Sequence, residues 1–461
     1  MSNVSGTNLR APAVLGVDIG STNSKVVAVD MRGGVVSRCS RPTPRGTSDL
    51  SVSAEGLLEI LEEMVIEACG AHYGIKSIAI AGIGEDGVLV DANLKPLIPA
   101  LAWFDPRRNA IFEKIKPFLA PNVEMGVATD PSRALAGWVW AKEQPNTESA
   151  QSWLALTDFA ASRWAQTPFM SDTLAARTGA WDVNAGAWDV SRVDLCLGSA
   201  TLLPPVRKTG DIIGELRSRR LAEAGVVLPG AVVVAGGHDH PIGGWGVSQM
   251  HRGAVLDSMG TAEVVVAQAS SPVSGNAEID IAQGIRGNVR TLLTVQELNR
   301  NVDWASQDAE VDRALRMIFS GKLKPDSYVH SDCFVPGGRG GSSPFFSLDS
   351  PLCAVSKASA VAGALSRAGN NAVNRVAQYM PTGAAIYCAG GWARSPGWIN
   401  LKQLLSDKEL RVIAEPEVTA VGAALLAAAA IDCQVDAGAA LSGNESLIRS
   451  ARSPFTTALA R

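Results

Sequence analysis

The sequence predicts an α/β fold built as two lobes, and three observations lead to it. Short β-branched runs that end in glycine alternate with helix-periodic segments, the pattern of layered α/β architecture. Two similar turns, Gly20-Ser21 and Gly260-Thr261, each lie between apolar runs about half the chain apart, as duplicated cores would place them. The length of 461 residues exceeds one ordinary domain.

The first structured segment runs from Val14 to Asp30. Two β-branched runs flank Gly20-Ser21-Thr22-Asn23-Ser24, which reads as a β-hairpin at the start of a sheet. Ala54 to Cys69 sets Leu57, Leu58, Leu61 and Val65 at helical spacing. Ile78 to Ile83 reads as a short buried strand and Val88 to Val90 as another. Val232 to Pro241 reads as a strand entering a glycine-rich loop, and Val255 to Val266 as a second hairpin. Ala384 to Gly391 is a strand ending in a diglycine turn, followed by helical Trp398 to Leu405. Val418 to Ile431 is Ala-rich, too short to cross a bilayer, and reads as a buried helix. The boundary between lobes is expected near residues 245 to 253. Residues 1–12 are then a flexible tail, 13–248 the first lobe and 249–461 the second. Pro336 to Pro344 reads as an exposed loop, and the residues after Gly443 as a loose tail or a last short helix.

Composition excludes several classes. With 46% apolar and 19% charged residues the chain fits a compact soluble protein rather than a disordered one. A net charge of -4 gives no reason to expect nucleic acid. Seven cysteines, an odd number without a CxxC pair, argue against a disulfide framework or a cysteine zinc site and for a reducing, cytoplasmic setting. Met1 to Pro12 has no apolar signal core, and no membrane partner is expected.

Four places carry chemistry. Gly20 lets backbone approach a ligand closely, and turn N–H groups can cradle anionic oxygens. Ser21, Thr22 and Ser24 add hydroxyls, Lys25 adds positive charge, and Asp18 stands where a carboxylate could hold Mg²⁺. The same residues also suit an ordinary hairpin, and the P-loop spacing is absent. Gly260-Thr261 is the second place, and one such turn in each lobe would grip a triphosphate from both sides. Gly390-Gly391 is the third, where a diglycine lets a base or ribose lie against backbone. Asp239, on a glycine-flanked loop between the lobes, is the fourth, as a carboxylate able to take a proton from an attacking hydroxyl. Its neighbours His238 and His240 invite a metal, but nothing else in the chain supplies a matching cluster.

In order along the chain, these segments resemble the FGGY carbohydrate kinases, the group that includes glycerol kinase and xylulokinase. The resemblance runs from about Val14 to about Ala430. It rests on the DIGST-type hairpin, the GIGEDG strand end, Trp103-x-Asp105-x-Arg107, the GGHD loop, the second Gly-Thr hairpin and the AGGWARSP turn. It implies two actin-like (ribonuclease-H-like) lobes with a central cleft. It also implies ATP and Mg²⁺ as cofactors. Asp239 matches the catalytic base. Gly20, Ser21, Thr22 and Lys25 match the first phosphate loop, Gly260 and Thr261 the second, and Gly390, Gly391 and Ala393 the adenosine turn. Glu85 and Asp86 align with the pair that reads substrate hydroxyls, and Trp103 with a tryptophan beside the sugar. Asp105, Arg107 and His240 complete the expected substrate set. Two departures stand out: Gly137 occupies the place of a common lysine, and Gly340-Gly-Ser-Ser-Pro344 lacks the Glu and Arg of a GERSP loop.

The implied reaction is transfer of the ATP terminal phosphate to a terminal hydroxyl. Three carboxylates, Glu85, Asp86 and Asp239, favour a neutral acceptor over a sugar acid unless Arg107 compensates. A ketose such as a xylulose-like pentulose is expected first, and a tetritol or other alditol next. The expected partners are that small molecule and, as a homodimer, a second copy of the chain. An ATPase or a sugar sensor without catalysis on the same fold are the alternatives.

Overall fold

The computed structural model describes residues 10–46, 50–119, 125–270, 278–338 and 342–442. The chain forms two compact units. The first holds residues 1–246, 285–287 and 419–440, and the second holds 247–284, 288–418 and 441–461.

The first unit is built on a six-stranded sheet of β1 (Ala11–Ile19), β2 (Asn23–Asp30), β3 (Val35–Pro42), β4 (Tyr73–Gly82), β5 (Ile212–Glu215) and β6 (Val227–His238). Its order is β5-β6-β4-β1-β2-β3. The first three strands form an antiparallel meander, while β1, β4 and β6 run parallel. Alternate β1 residues face opposite sides. Leu15 and Val17 meet Leu57, Leu61 and Val65 of α1 (Ala54–Cys69) in one core. That helix begins at Ser53, whose side chain accepts from the Gly56 N–H, and stops at Gly70, where φ is +52°. On the other side, a Cβ at Gly16 would lie 1.8 Å from the Ala420 carbonyl oxygen. Only glycine lets a helix near the chain end, Val418–Ala430, lie so close to the strand. Ser77 of β4 donates to the Ala427 carbonyl of the same helix at 2.8 Å.

The second unit repeats the plan. Its strands are β7 (Val255–Met259), β8 (Glu263–Ala269), β9 (Asp280–Gln283), β10 (Arg290–Gln296), β11 (Ile386–Ala389) and β12 (Leu410–Val412), in the order β9-β10-β8-β7-β11-β12. Again an antiparallel meander, β7-β8-β10, is followed by strands parallel to its first member, β11 and β12. The duplication suggested by two short glycine turns therefore extends over five strands of each sheet. The extra edge strands β5 and β9 differ.

The strand expected at Val88 is present, spanning Gly87–Val90, and pairs with Ser152–Ala155 outside the central sheet. Two expectations need correction. The strand at Ile78 starts earlier, at Tyr73, and ends at Gly82. Asp239 is not on a loop, because a helix, Asp239–Met250, starts at that residue directly after β6. The flanking glycines suggested a loop, and Pro241 does not break the helix, because proline is tolerated in a first helical turn, where its missing N–H has no partner to lose. The glycines of that helix serve packing: a Cβ at Gly246 would lie 2.8 Å from the Gly422 Cα.

Residues 1–9 of the expected tail, 339–341 of the expected Pro336–Pro344 loop and everything after residue 442 lie outside the described residues, whereas Ala11 and Pro12 belong to β1. Among the described residues no helix is long and apolar enough to cross a membrane.

Candidate active site

Strand register gathers the first unit's candidates at one sheet edge. Ile19 and His238 both stand beside Gly82. The Gly20 turn, the Ile83–Asp86 segment and Asp239 therefore leave the carboxyl ends of three adjacent parallel strands, the usual place for ligands in α/β sheets. Gly20 donates its N–H to the Asn23 carbonyl at 3.1 Å, and its carbonyl accepts from the Thr43 hydroxyl at 2.7 Å. Ser21 and Thr22 stay accessible, but Ser24 is fully buried with its hydroxyl 3.1 Å from that of Thr43. Ser24 thus braces the turn instead of facing a ligand. Lys25 lies 3.4 Å from Asp18, whose side chain is largely buried. The Ser21 carbonyl accepts from Arg45 Nε at 2.6 Å, and its hydroxyl accepts from the Trp103 indole at 2.9 Å.

Glu85 and Asp86 have different surroundings. Glu85 Oε1 accepts from Arg177 at 2.8 and 2.5 Å and from Arg133 at 3.2 Å. Asp86 is fully buried, with Arg108 at 3.5 Å. Burial pushes its carboxyl up to about 7 against the pull of Arg108. Arg108 also donates to the carbonyls of Ala102, Leu101 and Arg133. Asp86 is therefore part of a buried framework, while Glu85 lies nearer the surface. Asp105 pairs with Arg107 at 2.7 Å, at the start of the helix Arg107–Ile115. Trp103 is 39% exposed and packs edge-on to Phe104.

The approach to Asp239 is tightly specified. Gly237 has φ of +150°, and a Cβ there would fall 2.0 Å from Thr173 Oγ1, the atom that accepts the His238 N–H. Burial first, then Arg177, holds the His238 imidazole well below its usual range and so neutral. Its Nε2 lies 3.2 Å from Asp239 Oδ1, and the His240 backbone N–H donates to the same oxygen at 2.6 Å. The other carboxylate oxygen carries no hydrogen bond among the described residues. A side chain one quarter exposed, fixed through one oxygen and open at the other, suits a proton acceptor.

In the second unit, Met259 and Ala389 end adjacent parallel strands, so Gly260-Thr261 and Gly390-Gly391 leave the sheet side by side. Gly390 has φ of +90°, and a Cβ on it would meet the Met259 carbonyl at 2.3 Å. The Thr261 carbonyl accepts from the Asn299 N–H at 3.0 Å, and Asn299 Oδ1 accepts from the Trp392 indole at 2.7 Å. Ala393 is buried behind this turn.

Residues 13–246 match the model of the N-terminal domain of the FGGY family of carbohydrate kinases. The chain belongs to the FGGY family. It is a carbohydrate kinase. L-fuculokinase of Salmonella typhi is 22% identical over 90% of this chain and 92% of its own length. The structures of ligand-bound xylulose kinase and of gluconate kinase from Lactobacillus acidophilus share the fold. Their TM-scores are 0.80 and 0.79, each at 17% identity over 93% of this chain and 92% of theirs.

As an FGGY kinase the chain shows what its departures do. Gly137, on the helix Ala134–Lys142, faces Arg108: a Cβ there would lie 3.1 Å from Arg108 Nη2. The glycine makes room for the arginine that supports Asp86. Residues 340 and 341 of the reduced GERSP-like loop lie outside the described residues. Sequence reading missed Arg108, Arg133 and Arg177. They are scattered through the chain, and only the bare glycine in an otherwise bulky Trp-Val-Trp helix hinted at a partner.

The arginines also remove the premise of three uncompensated carboxylates. Glu85 has two guanidinium partners and Asp86 has one, so repulsion no longer bars a sugar acid. Among the described residues no three His, Cys, Asp or Glu side chains gather as a metal cage. The single carboxylate Asp18 at the first turn does fit Mg²⁺, which is commonly held by one or two protein carboxylates together with phosphates and water.

Proposed function

We propose that this kinase transfers the γ-phosphoryl group of ATP to a terminal hydroxyl of a small neutral sugar or polyol. The observation that carries the reading is Asp239: it is fixed through one oxygen, open at the other, and stands at the sheet edge shared with the Gly20 turn and Glu85. In this reading Asp239 accepts the hydroxyl proton as the oxygen attacks phosphorus. Glu85, held in place by Arg133 and Arg177, accepts a second hydroxyl and orients the acceptor. Trp103 offers an exposed ring to the C–H face of the sugar. Backbone N–H groups at Ser21 and Thr22, with Lys25, hold phosphate oxygens, and Gly20 gives the turn its close approach. Gly260 and Thr261 form a second phosphate turn, and Gly390, Gly391 and Ala393 a rest for adenosine. Asp18 would hold Mg²⁺, which when bound offsets phosphate charge.

The preference for a neutral acceptor rests on availability. Arg108, Arg133 and Arg177 are already committed to carboxylates and carbonyls, so a substrate carboxylate would have to displace one of them. A ketose, such as a xylulose-like pentulose, is the first choice, in keeping with relatives named L-fuculokinase and xylulose kinase, and an alditol the next. A coupled ADP-release assay over pentuloses, tetritols and aldonates tests this. Turnover with a ketose or alditol supports it. Hydrolysis that no sugar stimulates, or turnover confined to aldonates, overturns it.

A further inference from the structure

An ionic cluster that the proposed chemistry does not use flanks the Gly260 turn. Lys402, on the helix Pro396–Leu404, is fully buried with Asp257 and Glu263. Its ammonium contacts Asp257 Oδ2 of β7 and lies 2.5 Å from Glu263 Oε1 of β8. The two carboxylates bracket the turn, since Glu263 pairs with Met259 as the last rung of the hairpin and Asp257 precedes Met259 by two residues. Gly369, on the helix Ala354–Ala377, makes room: a Cβ there would fall 2.1 Å from Glu263 Oε1. The helix bearing Lys402 grips the turn at a second point, where the Trp398 indole lies 3.2 Å from Met259 Sδ.

Such a cluster is a poor source of stability, because desolvating the charges offsets their attraction and apolar residues of equal volume often do as well. It ties two strands and a helix at one place, and that place is a turn read as phosphate-binding. Burial and the neighbouring Asp257 push the Glu263 carboxyl up to about 8, against the pull of Lys402. The Cys388 thiol, 3.9 Å from Asp257, completes the polar surroundings.

We propose that Lys402 is a positioning residue for the nucleotide, drawing both strands of the β7–β8 hairpin together so that the Gly260-Thr261 backbone keeps the spacing phosphate oxygens require. This rests on the reading of that turn as a phosphate site. Two variants test it: Lys402→Met alone, and Lys402→Met with Asp257→Asn and Glu263→Gln, which removes every charge at nearly constant volume and keeps a folded comparison if the single variant fails. ATP affinity by calorimetry, KM for ATP and for sugar, and melting temperature are measured on each. The triple variant should melt close to wild type, bind ATP about tenfold more weakly or worse, and change its sugar KM less than about twofold. A folded triple variant with wild-type ATP affinity overturns the proposal, as does an equal loss for ATP and sugar that follows melting temperature. A wild-type chain that binds no ATP overturns the phosphate reading itself, an outcome visible before any variant is made.

Discussion

The Trp103 indole N–H donates to the Ser21 hydroxyl at 2.9 Å, joining an exposed aromatic ring to the first glycine turn. Ser21 is held from both ends, because Arg45 binds its carbonyl at 2.6 Å and lies 4.8 Å from the center of the Phe104 ring beside Trp103. Trp103→Phe keeps a ring against the sugar and deletes one hydrogen bond worth ~1 kcal/mol. KM for ATP should therefore rise several-fold along with any change for the sugar. Steady-state kinetics with each substrate varied will tell: a rise confined to sugar KM would mean the indole is only a wall.

Asp239→Asn preserves size and can still accept the His240 N–H through its amide oxygen. Turnover should fall by ~10²–10⁴-fold while ATP affinity stays near wild type. Single-turnover kinetics and calorimetry separate the two. A variant with more than a tenth of wild-type turnover would remove Asp239 from the proton-transfer role.

Gly137→Lys restores the lysine common in the family and should harm this chain. A side chain at Gly137 starts 3.1 Å from Arg108 Nη2 and would expel a guanidinium that serves Asp86 and five carbonyls. Stripping a buried partner of its counter-charge costs about 3–5 kcal/mol. Urea unfolding reads the loss, and a midpoint equal to wild type would show that Arg108 has somewhere else to go.

Asp158 gives a prediction in pH. It is buried and accepts from the Ser171 backbone N–H at 2.6 Å and the Ser171 hydroxyl at 2.8 Å. Burial nevertheless pushes its carboxyl up to about 7. Because the folded value lies above the unfolded one, the unfolded chain releases this proton first. Stability from this group is complete below about pH 4 and declines as pH rises toward 7. Asp158→Asn removes the penalty, since its amide can accept from the backbone and donate to the hydroxyl. The variant should match wild type near pH 4 and exceed it by about 1–3 kcal/mol at pH 8. Parallel urea curves at the two pH values would expose a wrong sign directly.

The fold was legible where local chemistry decides it. Ala54–Cys69 announced itself by apolar spacing, and both hairpins by β-branched runs around glycine. The start of β4 was not, because Tyr73-Gly-Ile-Lys-Ser mixes polar and small residues whose pairing with β1 and β6 depends on partners distant in sequence. The candidate site was legible in its glycines and in Asp239, which serve as short motifs. The arginines around Glu85 and Asp86 were not, because ion pairing between residues 48 and 92 positions apart leaves no local pattern. Ser24 was misplaced for a related reason: a hydroxyl beside a turn looks available until Thr43 is seen to cover it.

Gly16 and Ser77 present one side of the first sheet to a helix that is translated more than three hundred residues later. A nascent chain that has reached only Gly246 has all six strands of that sheet but not this helix. The face around Gly16 and Ser77 waits for that cover until Thr419–Ala440 has been made. Fragments cut after the first sheet should therefore clump, and the helix Val418–Ala430 supplied as a separate peptide should rescue them.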